Sequence, residues 1–299
     1  MKKISFLTIF LAVALVCGAQ KPVELRLNLQ KGKTFTQNMD IKMNIKIEMM
    51  GMKIDTDVPF FTKISYKVLD IQNNNFVLEC TYQEMKMSMD ILGQKISFDS
   101  SDKKQDFDDN PIASFFSSFI GKSFKMTLDK YQNIVSIEGL DEIFASMVEN
   151  GKHLDGQKEQ MKNMIKEILG EEKIKENFSS SNIIFPKEPV KVGSTWETDN
   201  VKSLQGINMQ VKNQFKIEKI TAKKIEISSV SEYSMNLSVN ENGQDVSVIM
   251  KDAKATGNYV INPKTGWTIS SKTNADMAMV ASTMGIEVPM QIIMEIIVK

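Results

Sequence analysis

Histidine and cysteine, the side chains most enzymes and metal sites draw on, are almost missing from this chain of 299 residues, which has one of the former and two of the latter. A Ser-His-Asp or Cys-His nucleophile would have to use His153, which follows Gly151 in an expected helix–helix turn, where a positive charge suits a helix end. Zinc sites of the usual kind need clusters of Cys and His, and none can be assembled. No Walker-type loop or Gly-x-Gly-x-x-Gly follows an expected strand. Charge of one sign is also lacking: 37 basic residues stand against 37 acidic ones, so nothing argues for nucleic acid or anionic lipid. After the N-terminus no apolar run approaches the roughly 20 residues of a membrane-spanning helix.

The N-terminus reads as a secretory signal over residues 1–19. Lys2 and Lys3 supply a positive start, Phe6 to Val16 is an apolar run too short to span a bilayer, and Cys17-Gly18-Ala19 puts small residues before a cleavage point at Gln20. Cys17 as a lipid anchor is the less favoured alternative, because Val16 fits a lipidation box poorly. The expected location is therefore periplasmic or extracellular. Cleavage would leave Cys80 as the sole cysteine, so stability must come from a packed core and not from a disulfide. Cys80 lies on the apolar parity of a strand, the ordinary setting of an inert thiol.

Period-two alternation dominates what remains. Met39, Ile41, Met43, Ile45, Ile47 and Met49 alternate with polar residues, and successive strand side chains point to opposite faces, so one face is dry and one wet. Ile54 to Val68 continues the pattern after a turn at Met50-Gly51; Pro59 within it demands an edge position or a bulge. Phe76, Leu78, Cys80 and Tyr82 are followed by Met85, Met87, Met89 and Ile91 on the opposite parity, a flip that a bulge near Gln83-Glu84 explains. Asn242-Gly243 signals a hairpin, and Ile286 to Val298 alternates without a break.

Helical spacing is confined to the middle. Asn110-Pro111 caps a stripe of Ile112, Phe115, Phe116, Phe119 and Ile120. Leu140, Ile143, Phe144, Met147 and Val148 form a second stripe, and Met161, Met164, Ile165, Ile168 and Leu169 a third. Asp106, Asp108 and Asp109 match no calcium-loop spacing and read as a solvated loop.

The chain also resembles itself. Lys31-Gly32-Lys33-Thr34-Phe35 echoes Val192-Gly193-Ser194-Thr195-Trp196, and Tyr66–Cys80 aligns without gaps on Phe215–Ser229. Asp129 with its turn at Asn133 corresponds to Asn262 with its turn at Gly266. The expected fold class is α+β, predominantly antiparallel β, as two similar curved meander sheets with a helical insertion between them. The boundaries are a signal at 1–19, a first β unit at 20–137 with a short helix at 111–120, a helical insertion at 138–180 and a second β unit at 181–299.

The Gly32-x-Thr34-Phe35 opening, the Asp129…Asn133 turn and Phe185-Pro186-x-x-Pro189-Val190-x-Val192-Gly193-x-Thr195-Trp196 resemble a family of exported Bacteroidota proteins of unknown function. The resemblance covers nearly the whole chain after the signal, and its motifs are turns, so it implies compartment and fold more than activity. A weaker analogy links strand-plus-helix composition to periplasmic lipoprotein carriers, half-open β-barrels capped by helices.

Methionine, with 21 residues, is the compositional anomaly. It fills an irregular core, lines a flexible apolar cavity, or supplies thioethers to a soft metal such as Cu(I). The leading expectation is a non-enzymatic exported protein that needs no cofactor and binds a lipid or other apolar molecule. The lining would come from Met43, Ile45, Met85, Met87, Met89, Phe115, Phe116, Phe119, Met290 and Met294, with the phenylalanine helix as a lid. The alternative is a structural or protein-interaction module of the cell envelope with a solid core. A carboxylate pair for glycoside chemistry is a third reading that sequence spacing does not address.

Overall fold

The computed structural model describes residues 21–299 apart from 92–93, 103–115, 118, 151–169, 173, 176–177, 179–181, 205–206, 242–243 and 284. The signal segment, His153, Phe115 and the third helical stripe lie outside the described residues. The strands are β1 (Thr34–Met49), β2 (Met52–Gln72), β3 (Asn75–Ile91), β4 (Gln94–Asp99), β5 (Ser123–Leu128) and β6 (Ile134–Glu138), then helix α1 (Leu140–Asn150). Next come β7 (Thr195–Leu204), β8 (Ile207–Ile220), β9 (Ile225–Ser234), β10 (Asn236–Glu241), β11 (Gln244–Ile261), β12 (Thr268–Thr283) and β13 (Ile286–Val298).

All thirteen strands belong to one antiparallel sheet, ordered β6-β5-β3-β2-β1-β13-β12-β11-β9-β8-β7, with β4 beside β3 and β10 beside β11. The expectation of two sheets is thus corrected: β1 and β13 pair from Met39↔Val298 to Ile47↔Met290 and weld the two halves together. Of the helical insertion, α1 falls within 138–180. Of the short helix at 111–120, Phe116, Ser117 and Phe119 are described and helical.

Local chemistry places the turns and the bulges. Met49 pairs Met52 across Met50-Gly51, both at positive φ, as a two-residue hairpin of the primed type requires. Gln72 pairs Asn75 across Asn73-Asn74 in the same way. The β2–β3 register skips Gln83, so the parity flip is a bulge at the expected place. Pro59 pairs Lys42 of β1 on one side, and the ladder to β3 starts only at Phe60↔Met87, so its missing donor costs no ladder bond.

The two halves share strand order and register. β1-β2-β3-β5-β6 runs as β7-β8-β9-β11-β12 does. Gly32 N–H donates to the Val68 carbonyl and Val68 N–H to Lys33, at 2.8 Å each; Gly193, Ile217 and Ser194 repeat this at 2.8 and 2.9 Å. Bulges follow Val68 and Ile217 alike. Phe76↔Leu128 and Leu78↔Met126 in one half match Ile225↔Ile261 and Ile227↔Tyr259 in the other.

Each half has its own core at the end of the strands that carries the Asn73, Gln132 and Gly266 turns. One gathers Leu78, Cys80, Phe119, Met126, Leu128 and Phe144; the other gathers Ile183, Phe185, Ile217, Ile227 and Ile261. An extended N-terminal segment, tied by hydrogen bonds from Leu27 to Lys130 and from Asn28 to Thr265, inserts Leu25 into the second core and Leu27 and Leu29 into the first. The halves also exchange aromatics: Trp267 stacks on Phe35 at 5.0 Å, and Tyr131 packs against the second core.

Candidate functional surface

The strands of the middle of the sheet run well beyond the two cores, and there the core-side face continues outward as registered cross-strand rows. Thr62, Met39, Val298, Ser271 and Tyr259 form a row that is mostly buried. The next outward is Met87, Phe60, Ile41, Ile296, Thr273 and Gly257, followed by Val58, Met43, Met294, Ala275 and Ala255. Beyond these lie Thr56, Ile45, Ile292, Met277 and Ala253, then Ile54, Ile47, Met290, Met279 and Met250. Small side chains in the third row are buried by their neighbours, but Met43 and Met294, like Ile45, Ile292, Met277, Met279 and Met290, are only half-buried.

No charged side chain stands in the four outer rows. At ~4.8 Å between strands and ~6.8 Å between rows, they span roughly 20 by 20 Å, on the order of 400 Å2. That footprint, part of it buried, is comparable to the largest apolar patch of a typical single chain, which is often functional.

Met43, Ile45, Met290 and Met294 lie together in this field, Met43 directly opposite Met294. Met87 joins it beside Phe60. Met85 is buried with Phe98 in a small satellite core against which Phe60, Phe116 and Ile120 pack. Phe116 stacks on Phe98 at 5.9 Å, so the described part of that helix covers the β3–β4 corner and not the Met43–Met294 rows. Phe119 is wholly buried in the first core. Met89 pairs Ile96 at the outer end of β3, and Phe115 lies outside the described residues. Residues the sequence reasoning missed are Met277, Met279 and Met250, brought into the field by pairings to β13 and β11. The Met277/Met279 spacing was the signal available for two of them.

The other face of the same strands is polar and charged. Lys272 pairs with Glu295 at 2.5 Å and Lys42 with Glu295 at 3.8 Å; the hydrogen bond from Lys272 and the two positive charges hold the Glu295 carboxyl below its ordinary range. Asn44 donates to Asp55 and Asp57 at 2.7 and 2.9 Å, and Gln291 to Asp276 at 2.9 Å. This face is hollowed into an open trough of about 830 Å3, lined by Lys42, Asn44, Asp57, Lys254, Asp276 and Glu295 and, over most of its surface, by apolar atoms, those of Met43, Pro59, Ala255, Ala275, Ile293 and Met294 among them. A second hollow of about 550 Å3 adjoins it at Lys42 and Pro59.

Reactive groups are muted. Among the described residues, every carboxylate with a displaced pKa (Asp70, Asp99, Glu218, Glu226 and Glu295) is displaced downward, with hydrogen bonding the largest cause. Burial pushes the Cys80 thiol far up, which keeps it protonated, and pushes Tyr82 to about 12. Among the described residues no group of three His, Cys, Asp or Glu could hold a metal ion, and no helix is long and apolar enough to cross a membrane.

Comparison with known proteins adds the following. The model of a family of unknown function (DUF6263) matches residues 73–268, about two thirds of the chain. No curated protein matches. Among solved structures, lipovitellin, from a study of its lipid–protein interactions, is 10% identical with a TM-score of 0.48; the match covers 91% of this chain and 25% of lipovitellin. The chain thus spans about a quarter of lipovitellin's length. OmpF of Salmonella typhi, in complex with daunomycin, is 8% identical over 91% of this chain and 100% of that one, at a TM-score of 0.24. With scores below 0.5, these likenesses bear on neither mechanism nor ligand.

Proposed function

The chain belongs to this family of unknown function, and we propose that it is an exported, non-enzymatic protein that binds a lipid or other apolar molecule on the outer rows of its sheet. One observation carries the reading: a charge-free field of methionine and isoleucine, continuous with the two cores, is left only half-buried by the described residues. Water-facing apolar area on this scale is costly unless something covers it for part of the time. Half of a ~30 Å hydrocarbon core is about 15 Å, so one acyl layer fits along a 20 Å face. Methionine suits such a surface, since its unbranched thioether repacks around ligands of different shape. Export is supported by the Lys2-Lys3 start, the apolar run to Val16 and the small residues before Gln20. The matched order, bulges and turns of the halves support their origin as two copies of one unit.

Native mass spectrometry of the protein purified from its own envelope tests the reading. A lipid adduct on the parent chain, absent from a Met43→Lys/Met294→Lys variant, is expected. A clean parent that takes up no lipid when incubated with mixed phospholipid vesicles contradicts it.

The alternative of a protein-interaction module has its own support in the trough on the charged face. Its volume falls within the range of ligand-sized clefts, and its charges set among apolar surface suit a protein partner that carries both. Lys254→Glu together with Lys42→Glu would weaken such a partner's binding and leave lipid uptake untouched.

A further inference from the structure

The row of the apolar face that holds Met290 carries more sulfur than an apolar surface requires. Met290 of β13 is the register partner of Met279 of β12, and Met279 is the partner of Met250 of β11. Met250 in turn donates its N–H to the Met235 carbonyl at 3.0 Å, one step beyond the Asn236↔Ile249 pair. Three methionines therefore stand side by side on one face of adjoining strands, Met235 is bonded to the end of that row where β9 gives way to β10, and all four are half-buried. Direct cross-strand neighbours hold their Cβ atoms about 4.5–5.5 Å apart, within reach of two flexible side chains converging on one atom.

The row is completed by an irregularity. Ala255 pairs Ala275 and Ala253 pairs Met277, so unbroken alternation would set Lys251 opposite Met279. The ladder instead skips Lys251, a β-bulge that turns the lysine outward and puts Met250 in its place. Ala253, beside the row, leaves room for the thioethers to bend.

We infer that Met235, Met250, Met279 and Met290 form a thioether site for a soft monovalent cation, Cu(I) or its analogue Ag(I). Thioether sulfur prefers such ions over hard divalent ones. The row offers no carboxylate for calcium or magnesium and no imidazole for zinc. The cation would coordinate two or three of the four sulfurs, and no bond is broken and no proton released. This inference does not rest on the apolar-ligand reading: the sulfur row is part of the same field, but the bulge and the four methionines stand whether or not a lipid binds there.

The test uses the full chain with methionine methyl groups labelled with carbon-13, titrated with silver nitrate. The Met235, Met250, Met279 and Met290 methyl resonances should shift together and saturate at one equivalent, while those of Met85 and Met126 in the cores stay still. Thioethers have no proton to lose, so the shifts should persist at pH 5, where histidine and thiol ligation weaken. Met279→Leu, which nearly conserves volume, should weaken Ag(I) binding at least tenfold against a competing chelator, and Met294→Leu should not. Silver that moves none of the four resonances overturns the site, and the labelled parent chain gives that result whether or not either variant folds. Equal affinity in a folded Met279→Leu variant overturns it as well.

Discussion

The two ends of the same strands follow one alternating pattern and end up in different environments. On β3, Leu78 and Cys80 are wholly buried, while Met87, a few residues farther along, is half-exposed. The difference lies in what is laid over the sheet. At the turn end, Leu25 to Leu29, Ile143 and Phe144 of α1 and the Ile183–Phe185 stretch close over the core-side face. Over the outer rows the described residues place only Phe116, whose ring lies 6.4 Å from that of Phe60 at one edge. Alternation thus fixes which side of a strand is apolar, and covering segments decide whether that side becomes a core or a surface.

The sharpest way to break this contrast is at two glycines with the same backbone and different surroundings. Gly266, at φ +70, would place an added Cβ 2.1 Å from the Arg26 carbonyl oxygen; Gly51, at φ +81, has nothing within 4 Å. Gly266→Ala should therefore cost on the order of 4 kcal/mol or more and dislodge the N-terminal segment. Gly51→Ala should cost about 1 kcal/mol, the left-handed strain alone. Urea unfolding of both variants checks this, and equal losses would mean that the turn end is not closed by that segment.

A smaller effect separates two core-side residues. Leu78→Ala should cost about 2–5 kcal/mol because a cavity remains. Met294→Ala should cost only about 1 kcal/mol, since solvent fills the space on an open face. Comparable losses would show that the outer rows are as closed as the inner ones.

The smallest expected effect is a titration at the turn end. Hydrogen bonds from Gln72 and Lys31, both at 2.9 Å, hold the Asp70 carboxyl at about 2, below its ordinary value. A lowered native pKa means the contribution to stability is complete above the unfolded value of about 4 and is lost as pH falls through about 2. Gln72→Ala should raise the Asp70 pKa in a carboxyl-detected NMR titration; an Asp70 that already titrates near 4 in the parent contradicts the contacts.

The antiparallel β class was legible because alternation is local, and the Gln83 bulge was legible because apolar parity flips across it. The bulge at Lys251 was not. Ala253 and Ala255 are too small to announce a parity, so Met250 looked like the next residue of the other face. Two sheets were expected in place of one because Met39↔Val298 joins residues at opposite ends of the chain, and no local signal records a pairing so distant. The covering role of Leu25, Leu27 and Leu29 was also missed, since the segment is held by one isolated bridge, Val23 to Val190, and by scattered hydrogen bonds, and forms no ladder. Of the apolar lining expected from sequence, the β1 and β13 members fell into one field because that unforeseen pairing aligned them. Met85 and Phe119 went to closed cores.

Oxidative footprinting of the methionines, read residue by residue by mass spectrometry on the lipid-free chain, puts the open face to its most direct trial. Met43, Met290 and Met294 should convert to sulfoxide far faster than Met85 and Met126, whose side chains are almost wholly buried. Uniform protection across all five would show a covered interior where an accessible surface is claimed.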